Sequence, residues 1–235
     1  MPLPKIDQPL FELTIPSTGK KAKYRPFTVK EEKILLIAQE SKDIKQVVLA
    51  IKQIIGNCLQ KIDPETLAVF DLEYIMLQIR SKAVNNMVEF TIKDPETEED
   101  VDVKMDINEV QITRDENHKD VIEVTDDIIL KMKYPNIDYI AEMGLDDEER
   151  DETALLFGLM KECIDAVVQG DDVYKLRDFT DEEIEDFVDS MGSNVVTGIR
   201  DFFDTIPQMK FEYQYTNSKG TEQTFIAKGT ETFFI

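Results

Sequence analysis

The chain has 235 residues, enough for one large domain or two small ones, and 42% of them are hydrophobic while 32% are charged. This balance is typical of a globular protein and excludes an intrinsically disordered chain. The net charge of −22 is uneven, since residues 1–93 hold 14 Lys and Arg against 11 Asp and Glu, whereas residues 94–235 hold 13 against 38. The acidic part argues against binding to nucleic-acid phosphates, because such binding releases counterions only when a basic surface makes the contact.

The cysteines and the hydropathy pattern indicate where the protein is made. Cys58 and Cys163 both lie in apolar helical patterns, so we expect buried thiols of a reducing cytosol and no disulfide. The N-terminus lacks the basic flank and apolar core of a signal peptide. The longest apolar run near it, 34–38, is far shorter than the roughly 20 residues that span a bilayer. We therefore expect a soluble, intracellular protein with no membrane partner.

A basic β-hairpin followed by a capped helix is predicted at the start of the chain. The hairpin is predicted near 10–27. Its first strand shows alternating apolar residues at Phe11, Leu13 and Ile15, a turn follows at 16–19, and the return strand is 21–25. Thr28 lies three residues before Glu31, which is the spacing of a capping box. An apolar run follows at 34–37, and the pattern predicts a helix near 29–40.

The remaining periodicities predict a mixed α+β fold with several antiparallel hairpins and no parallel doubly wound sheet. Further helices are predicted near 44–58, 64–84, 153–168, 180–190 and 194–206. Further hairpins are predicted near 87–105, 109–124 and 210–227, and 127–134 favours a strand. Three domains follow from this order: 1–85 with the basic hairpin and helices, 86–135 as a small antiparallel β module, and 136–235 as an acidic helical region with a C-terminal hairpin.

No set of residues predicts catalysis, a cofactor or a metal site. The nearest approach to a phosphate loop, Gly192 to Gly198, is one residue too long and lacks the following Lys. His118 is the one histidine and lies in a polar turn, where a surface position is expected. Acidic pairs occur too often to indicate acid–base chemistry. We expect no enzyme; a hydrolase using Asp, Glu and a metal remains an alternative that metal analysis would test.

Two segments carry a family resemblance: 24–36, YRPFTVKEEKILL, and 77–84, LQIRSKAV. Shorter matches at 13–19, 52–58, 132–135, 202–207 and 229–234 extend it over nearly the whole chain, in order. The chain resembles the baseplate hub assembly family of T-even-like contractile-tailed bacteriophages. The resemblance implies a non-enzymatic hub subunit or assembly chaperone that binds other tail proteins in the host cytoplasm or in the tail base plate of the virion. Some relatives carry cysteine pairs at hairpin tips; the tips here, 94–100 and 217–220, have none.

The candidate partner-binding residues are Lys20, Lys21, Lys23, Tyr24, Arg25 and Phe27. A basic end on an otherwise acidic protein can steer a partner and set its orientation. For the last three residues, packing of the hairpin on the first helix is an equally good explanation. An alternative function is that of an acidic nucleic-acid mimic that occupies a basic site on a host protein. The charge of 94–235 favours that alternative, and the basic N-terminus is left unexplained by it.

Overall fold

A computed structural model describes residues 6–41, 43–83, 86–142 and 152–228 of the chain. Within those residues, seven α-helices and 11 strands form small antiparallel sheets, which confirms the predicted α+β class. The contacts divide the chain into two units. The first unit consists of Met1–Thr113 and Gln208–Ile235, and the second unit is Arg114–Pro207.

The elements follow one another along the chain with short connections. The helices are α1 Val29–Ser41, α2 Ile44–Cys58, α3 Val69–Ala83, α4 Ile137–Glu142, α5 Glu152–Cys163, α6 Asp181–Asp189 and α7 Ser193–Asp204. The strands are β1 Phe11–Thr14, β2 Lys21–Tyr24, β3 Met87–Lys93, β4 Asp100–Asp106, β5 Gln111–Thr113, β6 Val121–Glu123, β7 Ile128–Met132, β8 Ile164–Gln169, β9 Asp172–Lys175, β10 Gln208–Thr216 and β11 Glu222–Lys228. Short 3-10 turns occupy 64–66, 107–109 and 176–178.

In the first unit, the β1–β2 hairpin precedes three helices, as the sequence predicts. Asp43 caps α2 by accepting a hydrogen bond from the backbone N–H of Lys45 at 2.9 Å. The predicted helix at 64–84 is interrupted, because Leu67 is extended between the turn at 64–66 and α3. The helix faces bury an apolar set that includes Ile51, Ile54, Ile55, Leu72, Ile75 and Ile79.

The predicted hairpin at 109–124 is wrong. β5 pairs with β10, with Thr113 opposite Gln208, and β6 pairs instead with β7. β10 is flanked by β5 and β11, so a strand from late in the chain completes a three-stranded sheet that β5 begins. The second unit is therefore inserted between two paired strands of the first. Local periodicity carries no information on this pairing, because the partner of β5 is 95 residues away.

The second unit is a four-stranded antiparallel sheet in the order β6-β7-β8-β9, with helices contributing to one core. The core includes Ile122, Leu130, Met160, Cys163, Val167 and Phe202. The prediction of a helix through 153–168 is wrong beyond Cys163, where β8 begins. Ile164, Val167 and Val168 satisfy a helical spacing, but these β-branched residues also suit a strand.

The two-unit division differs from the three consecutive predicted domains. Residues 86–113 contribute β3, β4 and β5 to the first unit, and 114–135 contribute β6 and β7 to the second. Strands β10 and β11 return to the first unit because β10 pairs with β5. The boundaries therefore lie at 113/114 and 207/208, the two ends of the insertion.

Candidate interaction surface

The β1–β2 hairpin presents three lysines to solvent. Lys21 and Lys23 alternate with buried Ala22 and Tyr24, so the lysines lie on the outer face of the hairpin, and Lys20 is exposed in the turn before them. Lys21 Nζ lies 3.0 Å from Glu12 Oε1, with both side chains more than half exposed. An exposed pair of this kind contributes at most about 1 kcal/mol to folding. The lysines are therefore free to meet a partner at little cost to stability.

Tyr24 belongs to the interior of the first unit and not to its surface. Its side chain is 2% exposed, and its ring centroid lies 5.8 Å from that of Phe11. Its backbone forms an isolated antiparallel bridge with Leu59, just after α2. The neighbouring hydrogen bond from the Arg25 N–H to the Cys58 carbonyl, at 3.1 Å, extends this pairing. The return strand is thereby held against the end of α2.

Arg25 and the start of α1 form a buried ionic network. The guanidinium donates to both carboxylate oxygens of Glu31, at 3.0 and 3.3 Å, and Glu31 is 1% exposed. The backbone N–H and the hydroxyl of Thr28 also donate to this carboxylate, at 2.9 and 2.6 Å. Burial raises the pKa of Glu31, but the hydrogen bonds from Arg25 and Thr28 outweigh it and lower that pKa to about 2. The Glu31 half of the predicted capping box is therefore present, with the Thr28 hydroxyl donating to the carboxylate, and an arginine from the hairpin adds to it.

The turn of the hairpin is fixed to α3. The backbone N–H and the hydroxyl of Ser17 donate to the two carboxylate oxygens of Asp71, at 2.8 and 2.5 Å. Asp71 is fully buried in the first turn of α3 and also accepts from the Ala68 N–H at 3.2 Å. Both ends of the hairpin are therefore held by buried carboxylates, which gives the exposed lysines a rigid base.

Five of the six candidate residues thus fall into two groups. Lys20, Lys21 and Lys23 are exposed, whereas Tyr24 and Arg25 connect the hairpin to the helices. The sixth residue, Phe27, is half-buried and lies in the short connection from β2 to α1. The structure places the lysines together on the hairpin and assigns Tyr24 and Arg25 contacts inside the first unit.

Helix α1 adds an exposed apolar set that the sequence interpretation did not single out. Val29, Leu36 and Ile37 are 80%, 55% and 56% exposed, and on α2 Leu49 is 63% exposed. The first three recur at i, i+7 and i+8, which places them on one side of α1. The sequence does carry a signal for this exposed set, which is the run of four apolar residues at 34–37. Four consecutive residues of a helix cannot all lie on the one face that it buries.

The histidine and the two cysteines are held by contacts and burial inside the fold. His118 is half-buried, with Nδ1 2.9 Å from the Thr205 hydroxyl and Nε2 3.1 Å from the Tyr134 hydroxyl, and burial lowers its pKa. Burial raises the pKa of the Cys58 thiol to about 11 and that of Cys163 to about 12, so both are inert thiols. In the part of the chain that the structure describes, no group of three His, Cys, Asp or Glu side chains is arranged to hold a metal.

The same part of the chain contains no helix that is long and apolar enough to cross a membrane. No curated protein and no solved structure matches the chain. A family model described as T4 bacteriophage base plate protein matches residues 8–235, which is nearly the full length. This match confirms the resemblance at the level of the base plate. The chain therefore belongs to the T4 bacteriophage base plate protein family, with a structural role in the phage base plate.

Proposed function

We propose that the protein acts without catalysis in assembly of the baseplate hub, as a hub subunit or as an assembly chaperone that binds other tail proteins. The proposed contact region is the N-terminal surface, defined here as the lysines Lys20, Lys21 and Lys23 together with Val29, Leu36 and Ile37. The three lysines attract an acidic region of a partner, and the three apolar side chains supply buried area once the partner is in contact.

The observation that carries this proposal is the exposure of large apolar residues on α1. Val29, Leu36 and Ile37 are each more than half exposed, although the only fully buried residues of α1 are Glu31 and Ala38. A helix that buries so little of its apolar surface within its own unit is suited to bury it against another protein. The Arg25–Glu31 network supports the same reading, because it fixes the start of α1 without using its apolar side chains.

The test is complementation of a phage that lacks this gene, with hub intermediates separated by sedimentation. The variant Leu36→Gln/Ile37→Gln is expected to fold normally and to leave hubs incomplete, because both side chains are exposed and their loss affects only the contact. A matched control, Val121→Gln/Ile226→Gln, changes two residues that are 39% and 45% exposed elsewhere. Normal hub formation by the α1 variant would contradict the proposal.

Mass spectrometry of purified particles separates the two forms of the proposed role. A hub subunit remains in the particle at a fixed ratio to other base plate proteins, and a chaperone is absent from it. The same particles made with the α1 variant provide the comparison. Presence of the chain at a fixed ratio with no effect of the α1 variant on assembly would place the contact region elsewhere on the protein.

A further inference from the structure

An apolar groove opens beside the edge of the sheet in the second unit. It lies between β9 and α6 and has a volume of about 310 Å³. Tyr174 and Phe179 line it and are 41% and 40% exposed, with ring centroids 6.3 Å apart. The other apolar lining residues are Ile128, Val167, Leu176, Ile184 and Phe187. Two half-exposed aromatic rings at an apolar depression are typical of a site that receives a side chain from a partner.

Strand β9 is an edge of this sheet. Among the described residues it pairs only with β8, and all four of its residues are exposed. The outward backbone N–H and C=O groups of an edge strand are available to an added strand, and many proteins bind extended peptides in this way. The groove therefore lies next to a backbone that is able to hold a peptide in place.

The register of β8 and β9 determines which side chains such a peptide would meet. Val167 is opposite Tyr174, and Gln169 is opposite Asp172. Because side chains alternate between the two faces, Tyr174 and Asp172 lie on the same face, which is the groove face. A residue added opposite Tyr174 would point into the groove, and the residue two positions along would lie opposite Asp172.

The charge beside the groove selects the kind of peptide. The second unit holds 9 Lys and Arg against 27 Asp and Glu, a net charge of −18. Asp172 lies on the groove face of β9, is exposed and forms no ion pair within the described residues, and Glu183 of α6 lines the groove itself. The Glu183 carboxylate already accepts hydrogen bonds from the backbone N–H and the hydroxyl of Thr180, at 2.9 and 3.0 Å, so Asp172 is the acid left for a basic residue of a partner.

We propose that the groove binds an extended basic segment of a partner protein. The segment adds as a strand to β9, inserts an apolar side chain beside Tyr174 and Phe179, and presents Lys or Arg to Asp172. A basic partner is favoured over a second copy of this chain, because two units of net charge −18 repel each other. This site is separate from the N-terminal surface and does not depend on the role proposed for it.

Fluorescence anisotropy of a labelled peptide, Thr-Lys-Thr-Phe-Thr-Lys-Thr, with the full-length chain tests the proposal. Its Phe stands two positions from each Lys, as the register requires. Saturable binding is expected. Asp172→Lys should weaken it at least about tenfold, because like charges then face each other, and Tyr174→Ser should weaken it by removing the aromatic wall. The matched control Glu123→Lys changes one exposed acid on the opposite edge strand of the same sheet, away from the groove, and should leave affinity within about twofold.

Circular dichroism melting of each variant separates loss of binding from loss of folding. Three results would overturn the proposal: no saturable binding, equal affinity for a peptide with Ser in place of Phe, or equal weakening by the groove variant and its control. A fourth result bears on the occupant. If sedimentation shows that the wild-type chain is a dimer and that Tyr174→Ser makes it a monomer, the groove is filled by a second copy and the proposal is wrong.

Discussion

The Tyr215 hydroxyl donates a hydrogen bond to Asp94 Oδ2 at 2.8 Å and so joins two hairpins whose residues are 121 positions apart. Asp94 is 1% exposed, and its other oxygen accepts from the backbone N–H groups of Glu96 and Thr97 at 3.0 and 2.7 Å. Burial raises the pKa of Asp94, but the hydrogen bonds from Tyr215, Thr97 and Glu96 outweigh it and lower that pKa to about 2. An ionised carboxylate thus connects β3–β4 to β10–β11.

Removing one hydroxyl tests this connection. Tyr215→Phe should lower the thermal midpoint of unfolding, because the buried carboxylate loses a donor that nothing else replaces. Tyr213→Phe is the matched control, since Tyr213 is in the same strand and its hydroxyl forms no hydrogen bond within the described residues. Differential scanning calorimetry of both variants provides the measurement. Equal midpoints for the two variants would show that the Asp94 contact contributes nothing to stability.

Stability should fall in acid through Glu31 and Asp94. Their pKa values in the folded protein are about 2, against ordinary values of 4.5 and 3.8. A folded-state pKa below the unfolded value contributes stability that is fully present above the unfolded pKa and is lost as pH falls towards the folded pKa. We therefore expect the thermal midpoint to decline between about pH 4.5 and pH 2, as measured by calorimetry across that range.

The variant Glu31→Gln isolates one part of that acid dependence. It should unfold at a lower temperature than wild type at pH 7, and the two curves should converge as pH approaches 2. Glu12→Gln is the control, because the Glu12 side chain is 53% exposed and pairs only with an exposed lysine. If the difference between wild type and Glu31→Gln were the same at all pH values, ionisation of Glu31 would not be linked to folding.

Neighbouring cations of the hairpin should differ sharply in their effect on stability. Arg25→Met should cost on the order of 3 kcal/mol, because Glu31 is left buried without its ionic partner. Lys23 lies two residues before Arg25 and is exposed, so Lys23→Met should change the free energy of unfolding by less than about 0.5 kcal/mol. Urea titration measures both values. A small effect of Arg25→Met would mean that the network is not a stabilising contact.

Two helical glycines should respond in opposite directions to alanine. A Cβ at Gly56 in α2 would meet Pro64 at 3.6 Å, an ordinary contact, so Gly56→Ala should stabilise by about 0.5–1 kcal/mol. A Cβ at Gly198 in α7 would lie 2.9 Å from Ile122 Cγ2, which is a clash inside the core of the second unit. Gly198→Ala should therefore destabilise despite the gain in helix propensity. Stabilisation by both substitutions would show that α7 has room to move away from β6.

Local patterns were sufficient where an element is defined by its own residues. The caps at Asp43 and Thr180 mark helix starts within a residue or two, since each side chain accepts from a backbone N–H nearby, and at α1 the Glu31 carboxylate accepts from the Thr28 N–H instead. The alternation in β3 and β4 also predicts a hairpin, and the two strands pair along their full length. In both cases the information lies within a few residues of the element.

The parts that the sequence did not predict depend on distant contacts. The pairing of Thr113 with Gln208 makes 114–207 an insertion, and nothing in the local pattern at 109–124 distinguishes it from a hairpin. Likewise, Lys21 and Arg25 are both cations of the same hairpin in sequence. Only the folded position of Glu31 distinguishes them, because Arg25 pairs with that buried carboxylate whereas Lys21 stays on the surface. The groove beside β9 escaped prediction because the apolar pattern predicts a helix through 168, where the structure has strand β8.

The central claim, that the N-terminal surface binds another tail protein, is tested most directly by the rate at which the purified chain associates with hub intermediates made without it. Lys20→Glu/Lys21→Glu/Lys23→Glu retains Arg25, and Lys93→Glu/Lys104→Glu/Lys119→Glu makes the same charge change at other exposed lysines. We expect the hairpin variant alone to associate about tenfold more slowly at low salt. The difference should shrink as salt rises, because the screening length falls below about 10 Å above 0.1 M salt. Association of the folded hairpin variant at the wild-type rate in low salt would contradict the claim.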